Sequence, residues 1–214
     1  MAAPKKPTTN LAPEVLQGAR DNPWLYMTLM HRTDMPHVAD GFAMPTAHME
    51  PIVERMRVVA AIVLRLLPGW EAWAQSAQRH TSVVAPPGSA KTALLQWFYE
   101  WLLGQASLHW GDRWADMFHM GHVAASESKA MQVSFAIKKT IEDPLYQLIF
   151  PKVKPSKDEK WADSEWRVKG CTGKDPTFQA RGRRGDLLGS RLNFLGLDDL
   201  IKQGSPLAYQ WNGA

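Results

Sequence analysis

The chain has 214 residues and a formal net charge of +4 at pH 7, and 45% of its residues are hydrophobic while 21% are charged. This length suits one α/β domain with an appendage, and the composition is that of a globular protein, which excludes a chain dominated by disorder. The single cysteine, Cys171, excludes an internal disulfide and a cysteine-cluster metal site, and it is typical of a reducing compartment such as the cytoplasm.

The sequence also predicts that the chain does not insert into membranes. The segment Met1 to Pro13 contains lysines but no apolar core, so it lacks the pattern of a secretory signal. The longest apolar run, Val58 to Leu67, is interrupted by Arg65 and is well below the roughly 20 residues that a membrane span needs. We therefore expect a cytoplasmic protein.

Positive charge is concentrated towards the carboxyl-terminal end. Residues 152–202 contain twelve Lys or Arg against eight Asp or Glu, whereas the rest of the chain contains thirteen of each. A local surplus of this size is compatible with contact to phosphate groups or nucleic acid, and equally with a solvated basic surface. Arg181, Arg183 and Arg184 could contact DNA or act on the nucleotide of a neighbouring subunit, and a solvated loop is the simpler interpretation.

In chain order, an irregular segment comes first and a helix follows it. Residues 1–49 are expected to form a flexible tail and a stretch of loops and short helices, and residues 50–214 the main domain. From Pro51, apolar residues recur at spacings of three and four, which is typical of an amphipathic helix that ends at Leu67-Pro68-Gly69. The recurring positions are Ile52, Met56, Val59, Val63 and Leu66.

Two β-α units are predicted next. The β-prone run Thr81 to Ala85 is followed by a loop rich in Pro and Gly, and then by a helix-compatible segment from Ala93 to Leu103 that ends at Gly104. A second strand, Met117 to Ala124, leads into a helix that Asp143-Pro144 ends. The apolar face of this second helix consists of Ala130, Val133, Ile137 and Ile141.

Three further strands are predicted in the last part of the chain. Trp166 to Val168 and Thr177 to Ala180 are short β-prone pieces around a turn that contains glycine, and Leu192 to Leu197 is an apolar run. Strands that alternate with helices favour a largely parallel sheet covered by helices on both faces. The predicted fold class is therefore α/β.

The strongest motif is Ala85-Pro86-Pro87-Gly88-Ser89-Ala90-Lys91-Thr92, which lies between the first predicted strand and the helix after it. A loop in this place directs backbone N–H groups and a helix N-terminus at phosphate oxygens. In the general pattern, the lysine reaches the β- and γ-phosphates and the hydroxyl of the last residue binds Mg²⁺. Residues 87–92 are therefore candidates for binding ATP, with Lys91 also a candidate catalytic residue and Thr92 a candidate metal ligand.

The match to the general pattern is incomplete. Ala85 and Ala90 occupy the two positions where the general pattern has glycine. The alternative interpretation is an ordinary turn between a strand and a helix, in which Lys91 happens to open the helix.

A second motif is the apolar strand that ends in Asp198 and Asp199. Ligands of open α/β sheets bind at the carboxyl ends of the strands. In NTPases the first acid orients Mg²⁺ and its water shell while a neighbouring acid positions the attacking water, which predicts a metal-binding role for Asp198 and a catalytic role for Asp199. Paired aspartates after a strand also cap loops or helices. The metal-binding and catalytic interpretation is therefore supported mainly by the candidate phosphate loop earlier in the chain.

Together these segments resemble the ATPase part of bacteriophage terminase large subunits. Ala85 to Thr92 is similar to the Walker A motif of that family, which contains Pro-Pro-Gly, and Asp198-Asp199 resembles the end of its Walker B motif. His122 to Ser126 with Ala130 looks like the family's second strand and following helix, and Gly189-Ser190-Arg191 is similar to the lead-in before Walker B. The resemblance covers roughly residues 40–205.

The resemblance implies a P-loop NTPase of the additional-strand type that uses ATP and Mg²⁺. It implies a motor that drives double-stranded DNA into a procapsid in the host cell cytoplasm, working as a homo-oligomeric ring with a small terminase subunit and a portal. The chain departs from the family at two points. Asp199 stands where many members have Glu, and only fifteen residues follow it, so we expect an incomplete ATPase domain without the family's nuclease domain.

Two other functions stay open at this stage. Another P-loop ATPase that acts on nucleic acid, such as a helicase-like or loader protein, would contain both motifs. A catalytically inactive remnant would bind nucleotide or a partner without turnover, and the alanines at positions 85 and 90 favour this alternative.

Overall fold

The computed structural model describes residues 11–31, 49–66, 68–69, 72, 81–83, 90–156, 161–185 and 191–200. The described helices are α1 (Pro13–Asp21), α2 (Pro23–His31), α3 (Glu50–Val63), α4 (Lys91–His109), α5 (Trp114–Met117), α6 (Glu127–Glu142) and α7 (Pro144–Ile149). The described strands are β1 (Met120–Ala124), β2 (Glu165–Trp166), β3 (Phe178–Gly182) and β4 (Phe194–Asp198). The fold is α/β, as the sequence predicts.

The described strands form one open mixed sheet in the order β2-β3-β1-β4. The central strand β1 is parallel to both of its neighbours, with Gly121 opposite Gln179 of β3 and Leu195 of β4. The short strand β2 is antiparallel to β3. The prediction of a largely parallel sheet is therefore confirmed, and the carboxyl ends of β1, β3 and β4 lie at one edge of the sheet.

Helix α4 forms the centre of the hydrophobic core. Every residue from Trp97 to Ser107 is buried, which is the pattern of a helix that other elements surround on all sides. On the side of the sheet, the ring of Tyr99 lies 5.1 Å from the ring of Phe178 and 5.2 Å from that of Phe194. Gly196 of β4 permits this close approach, because a Cβ atom there would overlap the Tyr99 hydroxyl.

Helix α6 packs on the same face of the sheet as α4. The indole N–H of Trp166 in β2 donates a 2.9 Å hydrogen bond to the Ser134 hydroxyl in α6, and the Trp166 ring stacks on Phe178 at 5.2 Å. Because side chains alternate along a strand, Leu195 and Leu197 point away from the face that carries Gly196. These two leucines are 44% and 58% exposed.

A buried carboxylate connects α4 to its neighbouring helices. The Glu100 carboxylate accepts hydrogen bonds from the Tyr26 hydroxyl of α2 at 3.1 Å, from the Gln96 amide at 3.0 Å and from the Thr140 hydroxyl of α6 at 2.9 Å. In α7, the Tyr146 hydroxyl donates to the Glu100 backbone oxygen at 2.9 Å. Helix α2 therefore shares a core with helices that follow residue 50, and the division of the chain at that residue stays a prediction.

The periodic helix from Pro51 is present as α3, but it ends about one turn earlier than predicted. Leu64 closes the helix by donating its backbone N–H to the Ala60 oxygen, and Arg65 adopts a left-handed conformation with φ of 61°. Leu66 consequently lies outside the helix and is exposed. Across the described ranges, no helix has both the length and the apolar character needed to cross a membrane.

The two predicted β-α units are present in part. Residues 81–83 are not in a strand, and positions 84 and 85 of the same prediction lie outside the described residues. Helix α4 is longer than predicted and continues through Gly104, where the ring of Phe150 packs against the helix backbone. Strand β1 begins at Met120 instead of Met117, because α5 occupies the preceding residues.

The second predicted helix is confirmed as α6, which ends at Glu142, and its four predicted apolar positions are all buried. The later strands are present with shifted ends. Val168 forms only an isolated bridge with Pro155 and does not belong to β2, while β3 and β4 lie within two residues of their predicted bounds.

Candidate functional site

The candidate site lies where the parallel strands and two helices meet at the carboxyl edge of the sheet. Strand β4 ends at Asp198, and β1 leads through Ala125 to Ser126, the N-cap of α6. The Ser126 hydroxyl accepts a 3.4 Å hydrogen bond from the backbone N–H of Lys129, which fixes the first turn of α6. Helix α4 also begins at this edge, at Lys91.

A direct hydrogen bond joins the two sequence motifs. The Thr92 hydroxyl donates to Oδ2 of Asp198 at 2.8 Å, although 106 positions separate these residues in the chain. Thr92 is exposed and Asp198 is half-buried. The fold therefore places a hydroxyl and a carboxylate next to each other at the amino end of a long helix.

The N-terminus of α4 begins with a left-handed residue. Ala90 has φ of 55° and ψ of 26°, and its carbonyl oxygen accepts the first helical hydrogen bond, from the Leu94 N–H at 2.9 Å. The N-cap residue, Ala90, makes no side-chain hydrogen bond to this end of the helix. The backbone N–H groups of the first turn and the positive end of the helix dipole thus favour an anion here.

A groove of about 300 Å³ opens beside this hydrogen bond. Its described walls come from the first turns of α4, from the first turns of α6 and from the end of β4. The described lining residues are Thr92, Gln96, Lys129, Gln132, Val133, Asp198 and Asp199. The groove therefore brings two carboxylates, an ammonium group, two amides and a hydroxyl to one place.

Both aspartates line the same groove because the chain turns sharply at Asp199. Consecutive residues of a continuing strand would point to opposite faces. Asp199 instead has φ of 40°, a left-handed conformation that Asp tolerates better than most residues. Its exposed carboxylate lies beside the groove together with that of Asp198.

A buried polar pair, Tyr99 and His122, lies under the carboxyl end of β4. The Tyr99 hydroxyl donates to the Gly121 backbone oxygen at 2.6 Å, and its oxygen lies 3.3 Å from Nδ1 of His122. Because the single hydroxyl proton is used for Gly121, Nδ1 carries the imidazole proton and donates to the Tyr99 oxygen. Nε2 of His122 is then an acceptor, and it is buried without a hydrogen-bond partner in the part of the chain that the structure describes.

Burial determines the charge of this pair. Desolvation lowers the pKa of His122 to about 4, and the negative charge of Asp198 only partly opposes this effect. Burial also raises the pKa of the Tyr99 hydroxyl well above its ordinary value. Both side chains are neutral at neutral pH, so they provide an uncharged support beneath Asp198.

The structure brings Ala90, Lys91, Thr92, Asp198 and Asp199 to one edge of the sheet. The other predicted loop residues, Pro87, Gly88 and Ser89, lie outside the described residues. No family model matches the chain, and no curated protein matches it significantly. The interpretation of the site therefore depends on the geometry of its own residues.

Sequence reasoning missed three residues that line the groove: Gln96, Lys129 and Gln132. Gln96 is one helical turn after Thr92, and that spacing places both on the same face of α4. Lys129 and Gln132 lie in the first turns of the helix that follows β1. The sequence offers one signal for Lys129 and Gln132. The predicted strand before their helix is expected to end at the same edge of the sheet as the strand that ends in Asp198, so the start of that helix should lie near the site.

The basic residues near the end of β3 differ in their surroundings. Arg181 lies within β3, where its guanidinium donates to the Ser164 backbone oxygen at 2.7 Å and forms a 2.5 Å ion pair with Glu165. The expectation of a solvated loop is therefore wrong for Arg181, because the strand continues through it. Arg183 and Arg184 lie in the exposed turn after β3.

Proposed function

We propose that the chain binds Mg²⁺-ATP at the carboxyl edge of its sheet and hydrolyses it as a P-loop NTPase. The observation that carries the proposal is the 2.8 Å hydrogen bond between Thr92 and Asp198. It joins the last residue of the candidate phosphate loop to the acid at the end of a parallel strand. In P-loop NTPases, a hydroxyl and a carboxylate in these two places hold one Mg²⁺.

The chemistry of these two side chains fits Mg²⁺. The ion prefers oxygen ligands and is usually held by one or two protein side chains together with substrate phosphates and water. The Thr92 hydroxyl and the Asp198 carboxylate would hold it, and the bound ion would neutralise charge on the phosphate oxygens.

The other residues of the site have roles that follow from their positions. The N-terminus of α4 offers backbone N–H groups to the phosphates, and Lys91 in its first turn adds a positive charge. Asp199, with its exposed carboxylate at the groove, is placed to orient the water that attacks the terminal phosphate. Its side chain is one methylene shorter than the usual Glu, and the positive φ at Asp199 changes the direction in which it points.

We further propose that ATP hydrolysis by this chain serves viral DNA packaging. The support is the resemblance of the two motifs to those of phage terminase large subunits. Double-stranded DNA would then be the moved substrate, a portal and a small terminase subunit the partners, a ring of identical chains the working assembly, and the host cytoplasm the site of action.

Calorimetry and steady-state hydrolysis test the nucleotide site. Lys91→Ala should weaken Mg²⁺-ATP binding by roughly tenfold or more, because a charge-assisted phosphate contact is lost. Asp198→Asn should weaken the dependence on Mg²⁺, and Asp199→Asn should keep nucleotide binding and suppress turnover. Asp112→Asn, at a fully exposed position away from the groove, is the control.

Each outcome of these experiments has a distinct meaning. Equal ATP affinities of the wild type and Lys91→Ala would contradict the assignment of this segment as a phosphate-binding loop. If the wild-type chain binds ATP but does not hydrolyse it, the chain is the catalytically inactive remnant. Hydrolysis that DNA stimulates but that gains nothing from a portal and procapsid would favour a helicase-like or loader ATPase instead of a packaging motor.

A further inference from the structure

The groove at the candidate site is lined by a lysine, Lys129, that belongs to neither of the two sequence motifs. Helices α4 and α6 pack on the same face of the sheet, and both begin at its carboxyl edge. The groove therefore has Thr92 and Asp198 on one side and Lys129 with Gln132 of α6 on the other. Lys129 is the one cationic side chain among the described lining residues.

The position of Lys129 is unfavourable for the helix that carries it. Lys129 is the third residue of α6, and a positive charge in the first turn of a helix opposes the helix dipole. Its ammonium group is exposed and has no ion-pair partner among the described residues. Lys138 and Lys139, further along the same helix, are instead paired with Asp163 and Glu142.

An anion in the groove would give Lys129 a partner. The Asp198 carboxylate is engaged by Thr92 at 2.8 Å. Apart from these two residues, the exposed residues that line the groove are Lys129, Gln132 and Asp199. Phosphates held at the N-terminus of α4 would extend into this volume with their terminal group. Lys129 lines the groove from α6, so its ammonium group would meet the terminal phosphoryl group that enters this volume.

We propose that Lys129 binds the terminal phosphoryl group of ATP, so that this residue makes the site prefer ATP over ADP. The inference rests on the proposed nucleotide site and adds a specificity residue on α6. Binding of the terminal group also ties the first turn of α6 to that of α4 across the groove, and hydrolysis removes this link.

The test is the affinity of the purified full chain for Mg²⁺-ATP and Mg²⁺-ADP, measured by calorimetry for the wild type, Lys129→Gln and Lys129→Arg. Lys129→Gln should bind ATP roughly tenfold or more weakly, while its ADP affinity should stay within about twofold of the wild type. Lys129→Arg keeps the charge and should retain most of the preference for ATP. Lys139→Gln, on the same helix but away from the groove, should match the wild type for both nucleotides.

Circular dichroism and the urea midpoint of unfolding establish that each variant is folded. If Lys129→Gln loses affinity for both nucleotides equally, or for neither, the assignment of Lys129 is wrong while the nucleotide site stands. If the folded wild-type chain binds neither ATP nor ADP, the proposed function fails and this inference fails with it.

Discussion

Two residues of the candidate site have backbone conformations that L-amino acids rarely adopt. Ala90 has φ of 55° and Asp199 has φ of 40°. Left-handed conformations cost a non-glycine residue about 1–2 kcal/mol, and such strain is retained where the surrounding fold imposes the geometry. The general phosphate-loop pattern has glycine at the position of Ala90. The backbone geometry therefore agrees with the motif even though the residue does not.

Ala90→Gly should stabilise the protein. Glycine adopts the left-handed conformation without a steric penalty, and the greater entropy of glycine in the unfolded chain offsets only part of this gain. We expect the free energy of unfolding to rise by about 0.5–1 kcal/mol in urea titrations. Ala93→Gly, inside α4, is the control and should lower it by about 1 kcal/mol. A loss of stability in Ala90→Gly would show that the methyl group of Ala90 makes contacts that outweigh the strain.

The His122 side chain makes the stability of the fold depend on pH. Its pKa is about 4 in the folded protein against 6.5 as the ordinary value. Between these values the unfolded chain binds more protons than the folded one, so this contribution is complete above pH 6.5 and is lost as the pH falls towards 4. At pH 5 the expected loss is about 2 kcal/mol.

Urea unfolding at pH 7.5 and pH 5 measures this effect. His122→Leu removes the titrating group and should show a pH-dependent loss of stability that is about 2 kcal/mol smaller than that of the wild type. Equal pH dependence in His122→Leu and the wild type would mean that His122 is protonated as readily in the folded state as in the unfolded one.

At the level of elements, apolar periodicity was most informative where one face of an element is buried. Helix α6 follows its predicted face because Val133 and Ile137 pack inward while Gln132 is exposed. Helix α4 is buried on all sides, so its pattern contains no signal for where it ends. Gly104 predicts a helix end, because glycine often ends a helix, whereas in this fold it is a contact point for Phe150.

The residues of the candidate site also differ in how far local sequence patterns predict them. The residues from the two motifs were predictable because their chemistry depends on local spacing. Lys129 and Gln132 were not, because their place at the groove depends on which helices pack on which face of the sheet. That arrangement follows from the packing of Tyr99 and Trp166 on Phe178, which no local pattern encodes.

Gly104→Ala should destabilise the protein although alanine is the better helix former. A Cβ atom at this position would overlap the ring of Phe150, so the ring or α7 must move. We expect a loss of about 1–3 kcal/mol in unfolding free energy, measured by urea titration. The double variant with Phe150→Leu should lose less than the sum of the two single variants, because the smaller side chain leaves room for the methyl group. If the losses of the two single variants add up to that of the double variant, the overlap with Phe150 is not the cause of the loss in Gly104→Ala.

At the level of the whole molecule, α4 contacts the sheet through Tyr99 and contacts α2 and α7 through Glu100. This arrangement gives α4 its buried surface and places its N-terminus at the carboxyl edge of the sheet. The opposite face of β4 contributes apolar surface to the exterior, because Leu195 and Leu197 point away from α4. β4 is also the last strand of the described sheet, with β1 as its one described neighbour.

Adjacent exposed leucines on such a strand should promote self-association of the isolated chain. Leu195 and Leu197 lie two residues apart on one face and are 44% and 58% exposed, and adjacent exposed apolar side chains favour contact between molecules. We expect the wild type to form larger species as its concentration rises in sedimentation velocity runs, and Leu195→Thr/Leu197→Thr to associate several-fold more weakly. Threonine keeps the β-propensity of the strand while reducing its apolar surface. Leu148→Gln, at a leucine that is 45% exposed on α7, is the control and should associate like the wild type. Unchanged association in the double variant would place the contact on another surface of the molecule.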